Sequence, residues 1–182
     1  YPVGSLKAKL CVEGKARLYH YCETHGVRHQ LIGKLIVASS VEQNRELETI
    51  LQKARANGVE DLQWVDLAQL RAWEPQVAGH SALLSPSTGI VDSHGLMSAL
   101  LAEIETGGGT LCLKTEFQSA TPASEGYRVT VDSVGEPYHF HCTHLINAAG
   151  LGAQSVAGAI EGLTQDNIPP LYYCKGHYFS LS

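Results

Sequence analysis

The sequence predicts a mixed α/β (α+β) fold in which a sheet-forming insert interrupts an α/β layer. Three observations carry this. Segments with apolar residues at helical spacing alternate with short β-friendly runs, and capping residues or glycines separate them. Residues 28–91 read as strand–helix–strand, whereas 1–27 and 92–165 read as layered helices and strands. Residues 138–157 pass from an alternating, aromatic-rich run, through a collapse of side-chain volume at Asn147-Ala148-Ala149-Gly150, into a helical pattern.

Each element has its own signal. Leu6, Leu10, Leu18, Tyr21 and Cys22 fall on one helical face, with Ser5 as N-cap and Gly26 as the C′ glycine. Leu31 to Ala38 reads as one strand. Ser40 to Gln43 fits a capping box, and the helix after it places Leu47, Ile50, Leu51 and Ala54 inward before stopping at Asn57-Gly58. Asp61 to Val65 reads as a short strand, and Asp66 to Gln69 as a second capping box opening a helix that ends before Pro75. His80 to Ser85 is a strand, Pro86 to Gly89 a turn, and Ile90-Val91 an extension. A helix from about Ser93 turns Met97, Leu100, Leu101 and Ile104 inward and ends at Gly107-Gly108-Gly109. Thr110 to Phe117 is a strand and Thr121 to Ser124 a loop. Tyr127 to Asp132 and Tyr138 to Cys142 pair as a hairpin across Gly135-Glu136-Pro137, and Leu145-Ile146 forms the apolar end of the second strand. Leu171 to Leu181 reads as a last strand.

Composition narrows the function classes. The chain has 182 residues, 44% hydrophobic and 17% charged, which suits one globular domain or two small ones. A net charge of −5 gives no signature of nucleic-acid binding, and no apolar run reaches membrane-spanning length. Cysteines stand at 11, 22, 112, 142 and 174, an odd number without a CxxC pair. They point to reduced thiols in a reducing compartment, read as the cytoplasm. The chain opens at Tyr1-Pro2 and closes on an apolar run without a later partner, so it is expected to be an internal piece of a longer protein; the alternative is a processed or trimmed complete domain.

A strand ending in small residues before a helix lets a ligand approach the backbone closely, and the helix start offers free N–H groups to a phosphate. Gly150-Leu151-Gly152-Ala153-Gln154-Ser155 approaches the dinucleotide fingerprint, but Ser155 replaces its third glycine and no acidic strand end follows at the required distance. His139, His141 and His144 with Cys142 allow a zinc reading, against a plain polar strand face. Cys22 and His25 lie at i and i+3, and a buried thiol beside a surface histidine accounts for them equally well. No nucleophile–histidine–acid set can be assembled, Glu103 and Glu105 cannot share a helix face, and the triple glycine lacks the lysine and hydroxyl of a phosphate loop.

Five stretches occur in one order: GSLKAKLCVEGKARLYHYCETHG (4–26), LIGKLIVA (31–38), LSPSTGIVDSHGLMSAL (84–100), LINAAG (145–150) and KGHYFSL (175–181). Together they resemble the central part of the D-amino-acid-oxidase-like family of FAD-dependent oxidoreductases, in its L-2-hydroxyglutarate dehydrogenase branch. The resemblance covers nearly the whole chain. It implies a partial FAD-binding α/β domain (1–27 and 92–165) with an inserted substrate-domain sheet (28–91 and 166–182). It also implies FAD as cofactor and oxidation of a small 2-hydroxy acid by hydride transfer to flavin. An amine or amino-acid oxidase of glycine or sarcosine type is the alternative on the same fold; a non-catalytic binding or metal module is the alternative of another class. By matching position, Phe117, Ala148, Ala149 and Gly150 are expected beside the cofactor, and Lys34, Lys175 and Tyr178 beside the substrate. Phe117 as core, Lys34 on a solvent face, and Lys175 and Tyr178 in a structural role are the plain alternatives. The family's glycine fingerprint and its histidine motif, which belongs just before Tyr1, are not in this sequence, nor is its C-terminal glycine-rich segment. Catalytic residues are therefore expected outside it. With the fingerprint helix missing, exposed sheet edges are expected to favour self-association.

Overall fold

A computed structural model of the chain describes residues 1–178. Contacts divide the chain into two compact units, Tyr1–Thr110 and Leu111–Ser182.

The first unit opens with helix α1 (Leu6–Thr24). Ser5 caps it as expected, its hydroxyl accepting from the Ala8 N–H at 3.2 Å. Gly26 at φ +65° reverses the chain after it, and the Val27 N–H returns to the Cys22 carbonyl at 2.9 Å, the long bond of a Schellman motif. The expected inward face holds only at its C-terminal end, where Cys22 is buried and Tyr21 half-buried. Leu6, Leu10 and Leu18 are exposed, whereas Ala8 and Cys22 are buried and Val12, Lys15 and Tyr19 half-buried. The stripe 8/12/15/19/22 faces the unit, with the Tyr19 hydroxyl donating to the Ser87 carbonyl at 3.1 Å.

The expected strand 31–38 is two strands in two sheets. β1 (His29–Leu31) pairs antiparallel with β5 (Gly89–Val91), and β2 (Lys34–Ala38) pairs with β4 (Ser81–Ser85). Gly33 at φ +73° separates them, a conformation that suits glycine. β4 also pairs with β3 (Gln63–Val65), giving the order β2-β4-β3.

Helices cover both faces of this sheet. Helix α2 (Asn44–Ala56) packs Leu47 and Leu51 against Ile36, Ala38 and Leu83. Helix α3 (Leu67–Trp73) sets Leu70 with Val65 and Ala82, and Leu35, Val37 and Leu84 join them. Two covered faces explain why Leu35-Ile36-Val37-Ala38 is apolar without alternation. The Asp66 capping box forms with both its bonds, 2.9 and 3.1 Å. The box expected at Ser40–Gln43 does not: the Gln43 amide oxygen accepts from the Ser39 N–H at 2.7 Å, and the helix begins at Asn44. Helix α4 (Ser93–Thr106) is capped by Asp92 and ends at Gly107. Met97, Leu100 and Ile104, expected inward, are exposed, and only Leu101 is half-buried; no described element covers that face.

The second unit is an antiparallel meander of β6 (Thr115–Ala123), β7 (Gly126–Ser133) and β8 (Glu136–Cys142). Residues 111–114 are not in a strand, and 121–123, expected as loop, extend β6. A bulge at Gln118 shifts the register between Phe117↔Val131 and Ser119↔Thr130. The β7–β8 turn is Val134-Gly135, with φ +57° and +88°, the conformation that matches strand twist in two-residue hairpins. Pro137 therefore lies in β8 opposite Asp132, not in the turn. Ala120, Val129 and Val131 form the core, with Phe117, Tyr127, Cys142, Leu145 and Ile160 packed on it. β8 ends at Cys142, so Leu145 and Ile146 are not strand residues. After a 3₁₀ turn at Gly150–Gly152 comes helix α5 (Ala153–Gly158). Residues 171–178, expected as strand, have no regular structure, and 179–181 lie outside the described residues.

Candidate functional site

The segment expected beside a cofactor is a polar-stapled loop. The Asn147 amide nitrogen donates to the Ala153 carbonyl at 2.7 Å, and its oxygen accepts from the Ala149 N–H at 3.3 Å. The Gly152 N–H closes the turn on the Ala149 carbonyl at 2.9 Å. Ala148, Ala149 and Gly150 are exposed between these ties. None carries a side chain beyond Cβ, and at Gly150 (φ +57°) an added Cβ would meet no atom within 4 Å. An extended ligand can thus lie against the backbone without steric obstruction. The helix behind it has six residues, and a loop, not a strand, precedes it. Together with Ser155, that removes the dinucleotide-fingerprint alternative.

Phe117 is half-buried, and its side chain packs on the same cluster as Leu145. The side chain is core. The following bulge distorts the backbone at this point, so any ligand contact falls to the main chain.

In the first unit, Lys34 is exposed at the start of β2, an outer strand of its sheet, opposite Ser85. It lines a cavity of about 400 Å³ with Lys15 of α1, Lys53 of α2, Tyr1, Ser85 and Thr88. Lys15 donates to the Ser87 hydroxyl, and the Ser85 and Thr88 hydroxyls are 2.8 Å apart. Sequence reasoning singled out Lys34 but missed Lys15 and Lys53. They come from different elements with no periodic relation, so no local pattern announces their meeting. Lys175 and Tyr178 belong to the second unit, in its irregular segment, with Tyr178 almost wholly exposed.

Two further polar groups order the first unit. Asp92 accepts from the Gly95 N–H at 3.0 Å and faces Arg28 at 3.3 Å. The Gly95 N–H first, then Arg28, hold its carboxyl below the ordinary value of 3.8. Between α1 and α4, His25 Nε2 lies 2.8 Å from Glu103 and its ring stacks on Tyr21. Burial, then the Glu103 charge, raises the Tyr21 pKa above 10.0.

The zinc reading is not supported. His139 faces the Thr130 hydroxyl at 3.0 Å and His144 the Thr143 hydroxyl at 3.1 Å. Among the described residues, no three His, Cys, Asp or Glu side chains converge as a metal site.

Comparison with known proteins bears on the whole chain. The family model described as FAD dependent oxidoreductase matches residues 1–182. The chain is 34% identical to L-2-hydroxyglutarate dehydrogenase, mitochondrial, of Caenorhabditis elegans, over all of this chain and 41% of that protein. It is 30% identical to the Homo sapiens protein of the same name, over all of this chain and 40% of that protein. It therefore spans about two fifths of the length of these relatives. Among solved structures, L-alpha-glycerophosphate oxidase from Mycoplasma pneumoniae, with FAD bound, superposes with a TM-score of 0.76 at 24% identity, over 87% of this chain and 42% of that one. Glycine oxidase from Geobacillus kaustophilus gives 0.72 at 22%, over 87% and 44%. These likenesses agree with the mixed α/β fold. A family match running from the first residue to the last, on a chain that keeps a small-residue loop open to a ligand, makes this chain a member of the FAD dependent oxidoreductase family.

Proposed function

We propose that this chain supplies one wall of the FAD site and one wall of the substrate site of a flavin-dependent dehydrogenase acting on a small 2-hydroxy acid of the L-2-hydroxyglutarate type. The observation that carries this is full-length similarity, at 30–34% identity, to dehydrogenases named for that substrate. The residues present fit the cofactor: Ala148, Ala149 and Gly150 offer exposed backbone with no side chain in the way.

When bound, FAD supplies the acceptor for the electron pair leaving the substrate carbon. The chain's own residues position the reactants. Asn147 keeps the 148–150 backbone in one conformation for the cofactor, and the Phe117 main chain borders the adenine side. Lys34 binds a substrate carboxylate, and Lys175 and Tyr178, a cation and a hydroxyl, are assigned to the substrate side by the resemblance alone. Tyr1 lines the Lys34 cavity, and the resemblance puts the family's histidine motif next to Tyr1. The resemblance assigns 1–27 and 92–165 to the cofactor domain and 28–91 and 166–182 to the substrate domain, and Tyr1 and Lys15 of the first stretch line the Lys34 cavity. β8 is an outer strand with Tyr138 and Phe140 exposed, and it is the edge through which copies associate. The reduced cysteines suit the cytoplasm; the mitochondrion, which the relatives' names specify, is the alternative.

The test uses the full protein carrying this sequence. Anaerobic L-2-hydroxyglutarate is expected to bleach its visible flavin band, and Lys34→Ala to raise KM with little change in kcat. Bleaching by glycine or sarcosine alone would replace this reading with the amine-oxidase one. A purified protein that retains no flavin would favour the non-catalytic module.

A further inference from the structure

We propose that Lys15 and Lys53 join Lys34 to make their shared cavity a dicarboxylate site, one that prefers dianions to monoanions. The proposal rests on the assignment of Lys34 as a substrate contact and extends it to two residues on other elements.

The three lysines arrive from α1, β2 and α2 at one cavity of about 400 Å³, within the size range of small-ligand pockets. No aspartate or glutamate lines it. In a chain of net charge −5, a cavity lined by three lysines and no carboxylate is a local excess of positive charge that favours an anion. Among the described residues, none of the three makes an ion pair. Lys15 is half-buried, and its ammonium donates to the hydroxyl of Ser87, the residue before Thr88 of the cavity wall. Ser85 and Thr88 bond to each other at 2.8 Å, which leaves one hydroxyl hydrogen of the pair to donate to a ligand. Between the cations the wall is aliphatic, from Ala8, Val12, Ile50 and Ala54. Charges spaced over an apolar wall suit a short methylene chain with a carboxylate at each end. Ammonium groups act as point charges, so the site reads charge, not the planar geometry of one carboxylate.

The experiment is calorimetric binding of glutarate and of pentanoate to the full protein, which requires no turnover. Glutarate is expected to bind about tenfold tighter than pentanoate, with affinity falling as salt is added. Lys15→Gln and Lys53→Ala should each weaken glutarate about three- to fivefold, the upper range for a partly exposed ion pair, and leave pentanoate within about twofold. Lys53→Arg, which keeps the charge, should restore most of the affinity. Thermal midpoints equal to that of the parent protein would exclude misfolding. If Lys34→Ala weakens glutarate while the Lys15 and Lys53 variants bind as the parent does, the three-lysine site is wrong and the Lys34 assignment stands. If all three variants bind as the parent does, both fall.

Discussion

Asn147 is the one side chain that ties both ends of the open cofactor-side loop, and removing it tests whether that loop must be pre-formed. Asn147→Ala deletes the 2.7 Å bond to the Ala153 carbonyl and the 3.3 Å bond from the Ala149 N–H. The first has good geometry and the second is long. Both are exposed to water, so together they contribute about 1–1.5 kcal/mol, near the value of one well-made bond. If FAD binds only the ordered loop, that loss appears as a five- to tenfold rise in the FAD dissociation constant, since about 1.4 kcal/mol is tenfold. The assay is flavin fluorescence titration of apoprotein prepared from the full protein. Asn147→Asp keeps the acceptor for the Ala149 N–H but loses the donor to Ala153, and it should fall between the two. An Asn147→Ala protein that binds FAD as tightly as the parent, with unchanged folding stability, would refute the pre-formed loop.

Three other outcomes follow from the fold. Gly126 sits at φ +92°, and an added Cβ would lie 2.1 Å from the Cys142 carbonyl oxygen. Gly126→Ala should therefore cost about 3 kcal/mol or more by denaturant titration, whereas Gly108→Ala, at φ +81° with open space around it, should cost only about 1 kcal/mol. Leu83 is fully buried at the centre of the β2-β4-β3 sheet, and Leu83→Ala should lose about 2–5 kcal/mol, measured the same way. The folded Asp92 carboxyl has a depressed pKa, so its contribution to stability is present above the unfolded value of 3.8 and disappears as pH falls through the lower folded value. The stability curves of the parent and Asp92→Asn, followed by circular dichroism, should differ near neutrality and converge in that acid window; curves parallel throughout would contradict the capping role.

Much of the fold was legible because it depends on local chemistry. Ser5, the Asp66–Gln69 box and the glycines at 26 and 107 act within a few residues of themselves, and they bound their helices where the sequence indicates. Ser40–Gln43 misled because Gln43 has another N–H in reach, that of Ser39. The inward faces of α1 and α4 misled because periodicity reports where apolar residues are, not which face finds a neighbour. The lone-strand reading of 31–38 failed at Gly33, where one positive φ divides the run between two sheets.

The sequence by itself determined the family, the helix boundaries other than the start of α2, and the small-residue loop, since each rests on residue identity in fixed order or on bonds a few residues long. Tertiary structure alone decided that α2 and α3 cover opposite faces of one sheet, that Phe117 is a core side chain, and that Lys15, Lys34 and Lys53 share a cavity. Such contacts depend on how distant segments pack, and packing depends on shape and available volume, which no local pattern of residues encodes.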